Sequence, residues 1–445
     1  MTEVLLYVFG ILIMLVGLAV SIALHEIGHL VPAKLFGVKV TQYMVGFGKT
    51  IWSKRKGETE YGVKLLPLGG YVAMTGMYPP KHPGEKARDS STGFFDGMVN
   101  EAREASAETI AEGEDGRTFY RLPVWKKIII MLGGPVMNLV LACVFFGIVL
   151  MGFGVAQYST TLGGVNECLL PASSNQTQCA PDDPKAPAAE AGLEPGDRIV
   201  SIAGTPISEW SQIGEIVSVS PSQPLSIEVE RGDSVRTVTM TPAATERWVI
   251  DAEGNQVLGA DGEPLTETVG MIGVTPTTEI VRQPITAVAP FVGNNVVEVS
   301  KVIIGLPQRM VDIWHAAFGS EDRDPNGPIG IVGVGRLAGE AVSYEAAPVA
   351  ARAQLVLSLL GSLNVALFVF NLVPLMPLDG GHIAGALYEG IKRRLFMWFG
   401  KGDPGPVDTA KMVPVTFAVV IVLGAMSLLL LYADIVKPVS LFGGG

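Results

Sequence analysis

The sequence predicts an α-helical polytopic membrane protein with four transmembrane helices and a separate mixed α+β domain carried in one long loop. Three observations predict it. Four apolar runs, Val4–Leu24, Ile128–Phe153, Leu355–Leu375 and Val413–Tyr432, each reach the ~20 residues that a bilayer-spanning helix needs. The mean hydropathy is positive, at +0.39, with few charged residues for a soluble chain. Between the second and third runs the texture changes to short alternating segments broken by Gly and Asp turns, with acidic residues outnumbering basic ones roughly two to one.

The first run does not read as a secretory signal peptide. Glu3 precedes it, no Lys or Arg does, and no A-x-A site follows. Basic residues near span ends set orientation. They gather at Lys34, Lys39, Lys54–Lys56, Arg121, Lys126 and Lys127, and again at Lys392–Arg394, Lys401 and Lys411. The loops after the first and third spans are therefore expected in the cytoplasm, with both termini and the 160–350 region outside. The net charge of -11 then belongs mainly to the outer region. It argues against a nucleic-acid partner, which needs a basic face.

In chain order, the first span (1–31) is followed by a cytoplasmic loop (32–124). Val38–Phe47 and Tyr61–Met74 read as two strands of a hairpin (38–74) lying against the membrane. Trp52–Gly57 forms the polar turn. Residues 79–120 read as linker, with Glu101–Glu112 the one stretch able to form a short helix. The second span (125–155) is opened by Gly133-Gly134-Pro135-Val136-Met137-Asn138. Proline suits a first turn, glycines permit close helix approach, and Asn138 needs a hydrogen-bond partner among apolar neighbours.

Outside, over 160–280, Ala188–Leu193 reads as a short helix ended by glycine. Arg198–Ala203 reads as a strand, Glu209–Val219 as a helix, and Leu225–Glu230 with Val235–Met240 as a hairpin. Cys168 and Cys179 lie where oxidation permits a bridge, and a disulfide is expected; two unrelated thiols are the alternative. Cys143 lies mid-span as packing. Within 285–350, apolar residues at Val288, Val292, Val296, Val299, Ile303 and Leu306 follow helical spacing. That helix packs on the outer domain or lies on the membrane surface. The last segment, 352–445, holds the third span, a cytoplasmic loop and the fourth span.

Chemistry concentrates at His25-Glu26-Ile27-Gly28-His29, which ends the first span. Two histidines four apart share one helix face and can chelate one zinc ion, with the glutamate beside the metal's water. Ionisable groups at membrane depth are functional suspects. A catalytic zinc takes three protein ligands. The other histidines, His82, His315 and His382, include one in the cytoplasmic linker and one on the far side of the membrane. Asp379, which closes the third span in Asn371-Leu372-Val373-Pro374-Leu375-Met376-Pro377-Leu378-Asp379-Gly380-Gly381, falls at the matching depth and is the expected third ligand. Asn371 either donates to substrate or partners the Pro374 kink. A hydrolytic metal site at this depth points to peptide-bond cleavage within or beside the bilayer.

These motifs resemble those of the site-2 protease family of intramembrane zinc metalloproteases. HEIGH is similar to its HExxH, and Asn371…Pro374…Leu378-Asp379-Gly380 to its NxxPxxxLDG. Gly133–Asn138 is similar to its GGPxxN, and Gly327-Pro328-Ile329-Gly330-Ile331 to its GPIGI segment. Ala188–Ile202 resembles the PDZ domain that bacterial members carry. The pattern is most like the RseP-like subgroup, and within it the Rip-type members with one PDZ domain. The resemblance implies an extracytoplasmic PDZ-like α+β domain and one Zn²⁺ held by His25, His29 and Asp379. It implies that Glu26 is the acid–base group and that Asn371 lies near substrate, with an extended substrate added to the hairpin edge. It also implies single-pass membrane substrates, such as anti-sigma factors after a first cut, in regulated intramembrane proteolysis. The Cys- and Pro-bearing insert at 166–185 departs from the pattern. Two competing readings remain: a membrane metalloprotease whose third ligand is a glutamate such as Glu101 or Glu104, and a PDZ-bearing scaffold without activity.

Overall fold

The structure is a computed structural model that describes residues 2–79, 94–110, 115–170, 179–180, 183–250, 256–259, 263–320, 322–324 and 327–441. It divides into two compact units, Met1–Phe153 with Gln283–Gly445, and Gly154–Arg282.

The first unit is the helical body. It opens with α1 (Thr2–Leu35), β1 (Val40–Lys56), β2 (Thr59–Met74), α2 (Phe94–Glu108) and α3 (Val124–Gly147), the last running into a π-helical turn at Ile148–Phe153. Among the described residues, five helical stretches are long and apolar enough to cross a membrane. Four match the expected spans. The fifth, Ile285–Ile304, is the amphipathic segment.

α3 begins at Val124, next to the expected start of the span at 125, but Gly133–Asn138 does not open it: Pro135 lies inside the helix rather than in its first turn. The first turn carries a distant ion pair. Lys127, which reads as a loop lysine, is 5% exposed and donates to Glu389 at 2.8 Å. A paired lysine can be drawn into the bundle. The expected linker also carries α2, whose Arg103 pairs with Asp408; His82 lies outside the described residues.

The hairpin is more elaborate than two strands. Gln42, Tyr43, Met44 and Val45 each pair twice, with Ala73–Gly70 on one side and Glu60–Val63 on the other. The chain thus forms a small sheet of four segments: 70–74, 40–45, 59–63 and 52–56. Positive φ at Gly46 and Gly48 lets β1 bend between its halves. Strand pairing runs on through Trp52–Lys56, so the turn is only Gly57–Glu58. Segment 70–74 is an edge. The Tyr43 hydroxyl donates to Ala23 O at 2.8 Å, tying the sheet to α1.

The second unit contains β3 (Val155–Val165), α4 (Pro187–Glu190), β4 (Arg198–Ile202), β5 (Thr205–Pro206), α5 (Trp210–Ser218), β6 (Leu225–Arg231), β7 (Ser234–Met240), β8 (Ala243–Trp248), β9 (Thr266–Met271) and β10 (Val274–Val281). Its main sheet has the order β10-β3-β4-β6-β7, with β5 beside β4; β8 pairs β9. Inward residues of alternating strands, Ile199, Ile227 and Val229 among them, make its core with Leu162, Ile213 and Val217. Cys168 and Cys179 are joined in a disulfide.

The chain returns to the body through α6 (Val288–Ile304), α7 (Leu306–Phe318), α8 (Ile331–Ser343), α9 (Val349–Asn371), α10 (Asp379–Trp398) and α11 (Val413–Val436). Gly305 and Pro307 divide the amphipathic segment into α6 and α7. α7 packs Met310, Ile313 and Ala317 against Ala433 of α11, and Phe291 of α6 meets Phe146 of α3 at 5.0 Å.

Candidate metal centre

Two glycines bring α1 against α3. A Cβ on Gly28 would overlap the carbonyl of Gly133, and a Cβ on Gly133 the carbonyl of Gly28. The two backbones are in direct contact, which only hydrogen in place of a side chain allows. One residue on, Gly134 faces the rings of both His25 and His29.

The imidazoles are held from behind. His29 Nδ1 donates to Ile130 O at 2.7 Å. A carbonyl only accepts, so the proton of the neutral ring is on Nδ1 and Nε2 is bare. His25 Nδ1 meets the side-chain oxygen of Asn138 at 3.0 Å. The two Nε2 atoms are 3.2 Å apart.

Asp379 completes the group from the other side of the bundle. It begins α10 after a tight turn in which Leu375 N bonds Val373 O at 2.7 Å and Leu378 N bonds Leu375 O at 2.9 Å. Gly380 and Gly381 lie so close to the backbone of 372–376 that a Cβ on either would overlap it. This turn delivers Asp379 Oδ2 to 3.3 Å from both His25 Nε2 and His29 Nε2. The oxygen is buried and takes no hydrogen bond.

With both neutral rings carrying their protons on Nδ1, three electron-pair donors converge: the two Nε2 atoms and Asp379 Oδ2. That is unfavourable unless a cation lies among them. A tetrahedral zinc with bonds of roughly 2.0–2.1 Å separates neighbouring ligand atoms by about 3.3 Å. The three edges here are 3.2, 3.3 and 3.3 Å, so the donor set fits zinc and leaves a fourth position open. Among the described residues this is the one cluster of His, Cys, Asp or Glu placed to hold a metal. Glu101 and Glu104 are exposed on α2 and outside it.

Glu26 is 9% exposed. A Cβ on Gly70 would stand 2.9 Å from its Cγ, so the edge segment 70–74 passes beside this carboxylate. Asn371, half-buried, ends α9. Phe370 and Leu378, the neighbours of Asn371 and Asp379, line an apolar cavity of about 540 Å³ walled also by Leu306, Met310, Val419 and Leu423.

Sequence reasoning left three contributors without a role. Asn138 required a partner but not a named one, Gly134 read only as a glycine permitting close helix approach, and Gly70 lay unremarked within the strand expected at Tyr61–Met74. Their contacts join residues far apart in the chain.

The model of Peptidase family M50 matches residues 13–398. The zinc metalloprotease Rip1 of Mycobacterium tuberculosis (strain ATCC 25618 / H37Rv) is 32% identical over 98% of this chain and 100% of its own. Rip1 of Mycolicibacterium smegmatis is 33% identical over 98% and 99%. The metalloprotease MmpA of Caulobacter vibrioides is 30% identical over 86% of this chain and 88% of its own. On a family match spanning most of its length, this chain belongs to peptidase family M50, the site-2 proteases, and is a zinc metalloprotease of the membrane.

Proposed function

We propose that this protease cuts single-pass membrane proteins within or near the bilayer, with His25, His29 and Asp379 holding its zinc. The observation that carries this is the triangle of bare donor atoms, 3.2 to 3.3 Å on a side. Bound zinc supplies Lewis acidity toward the scissile carbonyl and makes water more acidic. Glu26 accepts the proton of the attacking water and passes it to the leaving amine. Asn371 holds the substrate backbone beside this point or donates to the developing oxyanion.

A helical substrate has its carbonyls bonded internally, so it must unwind before attack. The open edge at 70–74, running past Glu26 through Gly70, suits an extended peptide added as a strand. The apolar cavity at Leu378 and Phe370 suits the lipid-soluble residues that flank such a peptide.

On this reading four of the apolar helices span the membrane. Both termini and the 154–282 unit are outside, and the metal is toward the cytoplasmic side. The outer unit is PDZ-like and acts as a size filter. It admits a substrate, such as an anti-sigma factor, only after a first protease has trimmed its outer part, and the released inner fragment then signals to transcription.

The test is fragment release from candidate single-pass substrates by wild type and by Glu26→Gln, with zinc content measured in both. Glu26→Gln should keep zinc and lose cleavage by roughly 10²-fold or more; undiminished cleavage refutes the assignment. Asp379→Ala should lose zinc while Glu104→Ala keeps it, and the reverse favours a glutamate ligand. Deleting 160–280 should permit cutting of untrimmed substrate; retained discrimination refutes the filter.

A further inference from the structure

Asn138 is completely buried on α3, and its only polar contact among the described residues is its oxygen, 3.0 Å from His25 Nδ1. Its amide nitrogen is buried without a partner. An unpaired buried donor is a standing cost that leucine, of similar size, would not carry. What offsets the cost lies at the imidazole.

A neutral imidazole carries one proton, on either of its nitrogens. With the Asn138 oxygen toward the ring, Nδ1 is the donor and Nε2 is bare. With the amide nitrogen toward the ring, Nδ1 must accept. The ring proton then moves to Nε2 and points into His29 Nε2 and Asp379 Oδ2, where it blocks the metal. For His29 the same choice is made by the backbone carbonyl of Ile130, which admits no alternative. For His25 it depends on a side chain.

We infer that Asn138 is a positioning residue for the zinc centre: its side-chain oxygen holds the His25 ring in the orientation and tautomer that present Nε2 to the metal. The inference rests on the proposed ligand set. It adds that the affinity of the site for zinc is set in part from α3, by a residue that never touches the ion. Outer partners of ligating histidines typically change metal affinity 10- to 100-fold.

The experiment uses the full chain in detergent micelles, with zinc affinity read by competition with a chromogenic chelator. Co²⁺ absorption serves as the geometric readout and thermal unfolding as the control. Asn138→Leu should bind zinc roughly 10- to 100-fold more weakly, with a changed Co²⁺ spectrum, while being at least as heat-stable without metal as wild type. Asn138→Asp keeps an acceptor and has no unpaired amide, so its zinc affinity should stay within roughly threefold of wild type or exceed it. A purely structural role would move stability and metal affinity together and would not distinguish Leu from Asp. Wild-type zinc affinity in Asn138→Leu, or equal loss in both variants, overturns the inference. Should Asn138→Leu fail to accumulate, Asn138→Ala tests the same loss of acceptor. His25→Ala separates the two levels: if it binds zinc like wild type, the ligand assignment itself fails.

Discussion

Replacing Gly134 by alanine should empty the metal centre while leaving the helical body folded. A Cβ at this position would stand 2.6 Å from His25 Nε2 and 2.7 Å from His25 Cε1, and closer still to His29 Nε2. The nearer of the two quoted distances falls roughly 0.9 Å inside the ~3.5 Å at which such atoms attract. The rings cannot retreat freely, because each Nδ1 is hydrogen-bonded behind it, to Asn138 and to Ile130. Ligand bonds to zinc are only about 2 Å long and tolerate errors of roughly 0.2 Å, so a displacement of this size defeats them. Cleavage should fall by about 10²-fold or more, the usual penalty for an ångström of misplacement. Zinc content should fall with it, whereas overpacking should cost only about 1–3 kcal/mol of stability. Gly133→Ala is the control. Its Cβ meets the Gly28 carbonyl rather than a ring, so it should separate α1 from α3 and lower heat stability more. The assay is metal content by elemental analysis beside fragment release and thermal unfolding. A Gly134→Ala protein with full zinc and wild-type cleavage would refute the close approach.

Three further outcomes are expected. Val72→Pro, on the edge segment that passes Glu26, should reduce cleavage with zinc retained; unchanged cleavage rejects strand addition. Lys127→Met leaves Glu389 with only Arg393 at 3.1 Å for charge balance and should cost about 3 kcal/mol in unfolding, much of it recovered by adding Glu389→Leu; equal losses in the single and double variants would show no coupling. In the 154–282 unit, hydrogen bonds from the Arg231 guanidinium, at 2.6 and 2.7 Å, hold the buried Asp197 carboxyl below its ordinary value. The folded-state pKa is depressed, so this stabilisation is fully present above the unfolded value of about 3.9 and is lost as pH falls below it toward the folded one. Arg231→Ala should weaken hydrogen-exchange protection of 154–282 at neutral pH and flatten its loss in acid; protection equal to wild type at both pH values counts against the pair.

The three converging donors were legible because two of them obey a local rule. HEIGH places two imidazoles on one helix face by spacing alone, and Asp379 follows the third apolar run by a short turn, at the start of α10. What escaped was set by partners far along the chain. Lys127 is buried in the first turn of α3 because Glu389, 262 residues later, accepts its charge. β1 runs for 17 residues, with 42–45 near its start paired on both sides, which alternation along one strand cannot reveal. Gly134 looks like any helix-packing glycine until the opposing rings are seen. Asn138 was recognisable as needing a partner, but a single sequence does not say that the partner is an imidazole.

The 154–282 unit is inserted in the chain between two segments of the helical body. Val155 is paired with Val281 at its base, and within the body Gln283 N already bonds Leu150 O at 2.9 Å. The 154–282 stretch is therefore a side excursion whose stem is closed without it. Closing a long loop costs entropy that grows slowly with length, and here the two stem ends are stitched together by their own hydrogen bonds. The 154–282 unit is thus built as an exchangeable cartridge: a foreign domain grafted onto the same stem should leave the Gln283–Leu150 bond in place.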